Sequence, residues 1–319
     1  MGVKHGVLVM KWRIPLLIGA FTFGEMVWAG GNLPGTKPVP LDWVVRAQQA
    51  IEKALPIDGL VREFASNHRD RDVFPAEHEG WMAPYLQIVP VNLDGDSTPE
   101  QLLFISNASL DRTRLYVLKR LSDRWEVIYT HQAFAHNEPP QFEILDCGPG
   151  KKLISVLNVE GVGTGSWEFT RLFLRSAAGR VVSGAEIAED HNLALMGYDL
   201  NGHVESSRIK AEGDDLHVRY SYEFEAGYSL WGKLKLPDDN IKTQGTLIKG
   251  TADVTYRWDA MLNKYRVTSS PLTEDQIRCF TRIQDESLFR KAFRKELQTL
   301  AKKGTPDQQK VARHFLGVK

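Results

Sequence analysis

The chain has 319 residues, of which 42% are apolar, and its 40 basic and 40 acidic residues give a formal net charge of zero. This length fits one or two domains with a sizeable core. The balanced charge excludes a strongly basic domain, so we predict no nucleic-acid partner. Two cysteines are too few for a disulfide-stapled scaffold, so the core itself must stabilise the fold.

Residues 1–29 have the pattern of a secretory signal peptide. Lys11 and Arg13 precede the apolar segment Ile14–Phe23, and the small residue Ala29 ends the region. A charged region, a short apolar region and a small-residue cleavage site are the parts of such a signal. We therefore predict cleavage near Ala29 and a periplasmic or extracellular protein. No segment approaches the roughly 20 apolar residues of a spanning helix, so no membrane span is expected.

The region that follows the signal is predicted to be a linker and then helices. Residues 30–40 are rich in glycine and proline, which indicates a flexible linker. Residues 41–83 form an N-terminal helical segment. Apolar residues at helical spacing predict one helix over Leu41–Leu55, ended by Pro56, and a second short helix over Leu60–Ala65.

Residues 84–270 consist of short β-branched and aromatic runs separated by turns, which predicts a β domain. The predicted strands are Tyr85–Val89, Gln101–Ser106, Arg114–Leu121, Trp125–His131, Phe142–Leu145, Leu153–Val159, Glu168–Arg175, Arg180–Ile187, Val254–Trp258 and Lys264–Val267. Residues 271–319 return to a helical pattern, with an apolar stripe that we expect to dock on the edge of the sheet. The predicted fold class is mostly β, built from four-stranded repeat units as a propeller-like fold or an open sheet stack, with N- and C-terminal helices.

The segment between the first two strands has the composition of a metal-binding loop. Oxygen-bearing residues occupy alternate positions, and Gly95 permits the sharp turn that such a loop needs. Ca²⁺ takes 6–8 oxygen ligands, so alternate residues of a tight loop can converge on one ion. The candidate ligands are Asn92, Asp94, Asp96, the backbone carbonyl of Thr98, and Glu100. The alternative is an acidic β-turn that binds no ion.

This loop is not an EF-hand, which needs a glutamate at position twelve and a helix on each side. It resembles the calcium loops of FG-GAP and VCBS-type repeats, the blades of integrin-α-like propellers, which read Asp-x-Asp/Asn-Gly-Asp-x-x-x-Asp between two strands. Asn92 replaces the first aspartate of that pattern and Glu100 replaces the last. Both keep an oxygen ligand, although Asn92 removes one charge. The resemblance implies propeller-like repeats and a structural Ca²⁺ ion.

Four residues recur at a nearly constant interval, which suggests an internal repeat. Intervals of 54, 53 and 54 residues separate Asn92, Asp146, Asp199 and Asp253. The segment Asp199–Gly202 matches Asn92–Gly95 in residue type, but His203 stands where the loop has Asp96, so we expect no metal at this copy. An interval of this length is near the ~50 residues of a kelch blade.

Cys147 and Cys279 are both in the mature chain. In an oxidising compartment two such cysteines are expected to pair, so we predict a disulfide between them. The alternative is two separate buried thiols.

No residue pattern identifies a catalytic centre. The glycine run Gly161–Gly165 lies between two strands rather than before a helix, which favours a wide hairpin over a phosphate loop. His131 and His136 lack the spacing of a helical zinc site, and the chain has no Gly-x-Ser-x-Gly motif. The leading interpretation is a non-catalytic binding protein with a protein or glycan partner. The alternatives are a secreted hydrolase with its site on the repeat loops, and an inhibitor or immunity-type protein that binds another protein.

Overall fold

The fold is mostly β, as predicted, with 50% strand and 27% helix arranged as two antiparallel sheets. The computed structural model describes residues 37–68, 84–106, 113–132, 139–148, 151–163, 166–177, 179–194, 198–236 and 246–318. The predicted signal peptide and most of the predicted linker lie outside these residues. Within the described ranges, no helix has both the length and the apolar character needed to cross a membrane.

The first sheet has five strands and carries two helices on one face. Its elements are β1 (Val39–Pro40), α1 (Leu41–Glu52), α2 (Asp58–Asn67), β2 (Tyr85–Val91), β3 (Glu100–Ser106), β4 (Arg114–Arg120) and β5 (Arg124–Gln132), with strand order β1-β5-β4-β3-β2. Trp43 and Phe64 pack with Tyr116 beneath the helices. The indole N–H of Trp43 donates to the carbonyl oxygen of Leu60 at 3.1 Å, which joins α1 to α2.

The second sheet is a half-barrel of eight strands that follow one another in chain order. They are β6 (Phe142–Asp146), β7 (Lys152–Gly163), β8 (Ser166–Ala177), β9 (Arg180–Leu193), β10 (Leu200–Glu212), β11 (Asp215–Ala226), β12 (Thr246–Asp259) and β13 (Lys264–Ser269). The predicted grouping of strands into units of four is not confirmed, because all eight are hydrogen-bonded neighbours in one continuous meander.

Each face of the second sheet is buried against a different partner. One face packs on the first sheet, where Leu102 and Phe104 meet Ile154 and Leu172. The other face packs on the helices α3 (Tyr228–Leu234), α4 (Glu274–Phe280), α5 (Glu286–Ala292), α6 (Arg294–Lys303) and α7 (Pro306–Leu316). These helices therefore contribute to the core on a face of the sheet, not only at its edge as expected. Capping boxes at Thr273 and Thr305 satisfy backbone N–H groups where α4 and α7 begin.

The predicted disulfide is wrong, because Cys147 and Cys279 are both free. Cys147 follows β6, and Cys279 lies within α4. Both side chains are buried in the core between the half-barrel and the C-terminal helices, where a thiol packs as a small apolar group. Burial raises the pKa of Cys279 to about 12.

Gly202 on β10 allows the helices to approach the sheet closely. A Cβ atom at this position would lie 2.6 Å from Cγ2 of Ile283 and 3.0 Å from Cδ1 of Phe224. Those two side chains are themselves buried in the core. The absence of a side chain at residue 202 is therefore a packing requirement.

We predict that Gly202→Val lowers the free energy of unfolding by about 1–3 kcal/mol, because overpacking forces the core to shift. Gly59→Ala is the control, since a Cβ there meets no atom within 4 Å and lies in α2. Alanine is a better helix former than glycine, so this change should be neutral or stabilising. Urea unfolding of both variants measures the difference. Equal stability of Gly202→Val and the wild type would show that the contact is loose.

His191 on β9 is a buried histidine that the folded protein keeps neutral. It is 2% exposed and faces the C-terminal helices, with the backbone of Phe169 and Phe280 near its ring. Its Nε2 has no hydrogen-bond partner among the described residues. Burial lowers the pKa of His191 to about 4, which outweighs the opposing charge of Asp190.

The pKa of a histidine in the unfolded chain is about 6.5. The contribution of the neutral His191 side chain to the free energy of unfolding is therefore fully present above pH 6.5. That stability is lost as the pH falls from 6.5 towards 4. We predict that between pH 7 and pH 5 the wild type loses about 2 kcal/mol more than His191→Phe. Urea unfolding across this range is the measurement, with the exposed His203→Gln on β10 as control. Parallel profiles for wild type and His191→Phe would contradict the prediction.

Candidate cation-binding loop

The predicted metal loop is the connection between β2 and β3. These strands pair in antiparallel register, and Val91 opposite Glu100 is the last pair before the loop. Leu93 anchors the loop by burying its side chain with Val91 and Leu102 in the core between the two sheets. The loop is thus held at both ends and at one internal point.

Hydrogen bonds within the loop define its turn. The side chain of Asn92 accepts from the N–H of Gly95 at 2.7 Å and donates to the carbonyl oxygen of Asp96 at 2.6 Å. Gly95 has a φ of 80°, a conformation that side chains rarely adopt. Asn92 therefore shapes the turn through both atoms of its side-chain amide.

Each of the three acidic residues divides its two carboxylate oxygens between the loop and a common centre. One oxygen accepts a backbone N–H: Asp94 Oδ1 from Asp96 at 3.1 Å, Asp96 Oδ1 from Thr98 at 2.8 Å, and Glu100 Oε2 from Leu93 at 2.9 Å. The three residues also offer oxygens that all lie within 4.8 Å of one another. The backbone thereby orients the carboxylates towards a single point.

The ammonium group of Lys119, on β4, interacts with all three carboxylates. It bonds closely to Asp94 Oδ2 and lies 3.3 Å from Asp96 Oδ2 and 3.7 Å from Glu100 Oε1. For Asp94 and Asp96, these oxygens are not the ones that accept the backbone N–H groups of the loop. Lys119 was not among the predicted site residues, because only strand pairing brings it to the loop and no sequence spacing indicates that contact.

The ion pairs shift the pKa values of the groups that form them. The hydrogen bond to Asp94 raises the pKa of Lys119, against the opposing effect of burial. Burial acts to raise the pKa of Asp94, but hydrogen bonds from Lys119 and from the N–H of Asp96 outweigh it, so this pKa is lowered. Glu100 is only 1% exposed, and burial raises its pKa although the N–H of Leu93 and the charge of Lys119 oppose that rise.

The arrangement is chemically suited to hold a cation. Three carboxylates carry three negative charges, and Lys119 supplies one positive charge. Asp94, Asp96 and Glu100 are therefore brought together as predicted, whereas Asn92 lies beside them as part of the turn. The described contact of Thr98 uses its N–H and not the carbonyl that the metal hypothesis requires.

The other members of the predicted repeat do not form equivalent loops. Asp146 ends β6 and pairs with Lys152 at 2.8 Å, and Asp253 lies within β12. Asp199 comes directly before β10, so the residues of the predicted second loop form a strand instead. Its carboxylate contacts Lys233 of α3 at 2.7 Å and His314 of α7 at 3.1 Å, and so ties two helices to the sheet.

The remaining residues considered for chemistry have structural contacts or lie outside the described residues. His131 contacts the side chain of Asn158 across the two sheets, with a shortest distance of 3.0 Å, and burial lowers its pKa. His136 and residues 164–165 of the glycine run lie outside the described residues.

Comparison with models of known protein families finds no match to this chain, and comparison with curated proteins finds none either.

Proposed function

We propose that this protein is an exported, non-catalytic binding protein and that the Asn92–Glu100 loop is its structural Ca²⁺ site. One observation carries the metal part of the proposal, which is the convergence of three carboxylates within 4.8 Å. Every candidate ligand is a hard oxygen, the donor type that Ca²⁺ prefers and Zn²⁺ does not. The position of the loop between two paired strands supports the resemblance to FG-GAP and VCBS-type loops, and the four-stranded repeat is part of the same proposal.

Ca²⁺ and Lys119 compete for the same carboxylate oxygens in this proposal. The lysine neutralises one of three negative charges, whereas a divalent ion neutralises two. The Lys119 side chain is 29% exposed, so its ammonium can move to solvent when the ion binds. Ca²⁺ then replaces the ammonium group of Lys119 in the loop. The free energy of the Lys119 ion pairs that are lost reduces the affinity of the loop for Ca²⁺.

The state of the thiols supports a role without covalent catalysis. A cysteine nucleophile reacts as the thiolate and needs a lowered pKa. Burial raises the pKa of both Cys147 and Cys279. The carboxylates of the loop are held by backbone N–H groups and Lys119, an arrangement that orders a turn. We therefore favour a binding role with a protein or glycan partner.

We predict that Lys119→Gln responds to Ca²⁺ more strongly than the wild type does. Removing the internal competitor leaves three carboxylates without a counter-charge, so the ion should bind more tightly and stabilise more. Binding to the folded state alone adds about 2.7 kcal/mol at a hundredfold excess over Kd. The measurement is thermal unfolding with Ca²⁺ and with a chelator.

Two further variants make this experiment specific. Lys249→Gln is the control, because Lys249 pairs with Glu223 on the second sheet, away from the loop, and its loss should leave the Ca²⁺ response unchanged. Asp94→Asn/Asp96→Asn keeps the shape of the side chains and should abolish the response. If Lys119→Gln is destabilised and Ca²⁺ restores none of its stability, Lys119 is the permanent counter-ion and the metal proposal is wrong.

Export is tested separately by N-terminal sequencing of the protein recovered from the producing cell. Because the charged and apolar regions precede Ala29, we expect a mature chain that begins near residue 30. A chain that retains the apolar segment would contradict the proposed location.

A further inference from the structure

A groove of about 300 Å³ lies on the half-barrel, on the outer face of β10, β11 and β12. This is the face opposite the C-terminal helices, since Val218 and Val254 between the groove residues point into the core on the other side. Arg208, Lys210 and Arg219 supply positive charge to the groove.

The register of the sheet places basic residues directly opposite one another. Arg208 on β10 pairs with Arg219 on β11, and the next pair along the same face is Lys210 with His217. Directly opposed side chains have Cβ atoms about 4.5–5.5 Å apart, and like charges in such positions destabilise a sheet. Two adjacent pairs therefore form a block of four basic side chains.

The carboxylates in this groove neutralise the block only in part. Lys210 pairs with Glu212 at 3.1 Å, and Arg219 lies 3.9 Å from Asp253. Within the described part of the chain, no carboxylate forms an ion pair with Arg208. Arg208 is exposed and lies opposite Arg219 in the strand register, so the positive charge of Arg208 has no carboxylate partner among the described residues.

A β-bulge and two polar side chains, those of His217 and Thr255, also shape this groove. A β-bulge between Ser206 and Arg208 breaks the regular pairing of β10, and bulges redirect the side chains that follow them. Within the block, Nδ1 of His217 lies 3.2 Å from the hydroxyl of Thr255, its register partner on β12.

We propose that this groove binds an oxyanion, namely the phosphate or sulfate group of a small molecule or glycan. A tetrahedral oxyanion carries several acceptor oxygens and bridges two guanidinium groups through paired N–H donors. It relieves the repulsion between Arg208 and Arg219, which a neutral ligand does not. This inference rests on the proposed binding role, to which it adds a class of ligand. It uses none of the residues of the Asn92–Glu100 loop.

Isothermal titration calorimetry at constant ionic strength tests the proposal with two probes, inorganic pyrophosphate and a sulfated hexasaccharide. We expect the wild type to bind at least one of them, and the probe that binds more tightly distinguishes a phosphate from a sulfate source. Arg208→Ala/Arg219→Ala should weaken binding by about tenfold or more, because charge-assisted bidentate bonds are lost. The variant should fold, since it removes a repulsive pair, and thermal unfolding without ligand checks this.

A variant with the same change in charge controls for a general electrostatic effect. Lys249→Ala/Arg257→Ala removes two positive charges from β12 that pair with Glu223 and Asp215 and do not line the groove. It should bind the probe as the wild type does. The proposal is overturned if neither probe binds, if the Arg208/Arg219 variant binds equally well, or if both variants lose the same affinity. These outcomes are independent of the Ca²⁺ experiment, so either proposal can fail alone.

Discussion

Strands β7 and β8 are buried on both faces, and the rest of the architecture depends on this double burial. Leu153 and Phe173 point into the core beneath the C-terminal helices, whereas their neighbours Ile154 and Leu174 point into the core shared with the first sheet. Side chains alternate along a strand, so a slip of one residue would move each set into the wrong core. The register of β7 on β8 therefore fixes both halves of the molecule at once.

Double burial also explains which strands could be predicted from the sequence. A strand buried on both faces reads as a continuous apolar run, which made the segment over Leu153–Val159 recognisable. Strand β10 has one polar face, and the bulge between Ser206 and Arg208 interrupts its alternation, so it was not predicted as a strand. Strand β11 alternates apolar and polar residues from Leu216 to Ala226, which is the pattern of a half-buried strand, and the prediction overlooked it. The disulfide prediction failed for another reason. Two cysteines in a chain that is predicted to be exported are able to form a disulfide, but the packing of the fold decides whether they lie close enough to do so.

The loop shows the same division between local and long-range information. The convergence of the acidic side chains and the glycine turn could be predicted from the sequence, because Asp94 and Asp96 are oriented by Asx-type hydrogen bonds from backbone N–H groups two positions ahead. The sequence could not predict Lys119, whose contact with the loop depends on the pairing of β3 with β4. The interval of 54 residues does not mark a second loop of this kind at Asp199, whose carboxylate is instead an ion-pair partner for two helices.

A formal net charge of zero conceals two local imbalances of opposite sign. In the loop, three carboxylates converge on one point, and Lys119 from the neighbouring strand β4 neutralises part of their charge. On the outer face of the half-barrel, Arg208 lies opposite Arg219. The contact that offsets this charge is the one between Arg219 and Asp253, at 3.9 Å. Local fields of this kind, not net charge, determine which ions a surface attracts.

The two imbalances differ in what they require of the fold. An opposed like-charge pair costs about 0.2–1 kcal/mol, which is small against a total stability of about 5–15 kcal/mol. The folded state therefore tolerates the arginine pair with the Asp253 contact alone, and the strand register keeps the two arginines opposite each other before any ligand arrives. Glu100 is different, because it is buried with its charge next to Asp94, and an uncompensated carboxylate in that position would be far more costly. For this reason the fold supplies a cation of its own at the loop and leaves the arginine pair to be neutralised from solution.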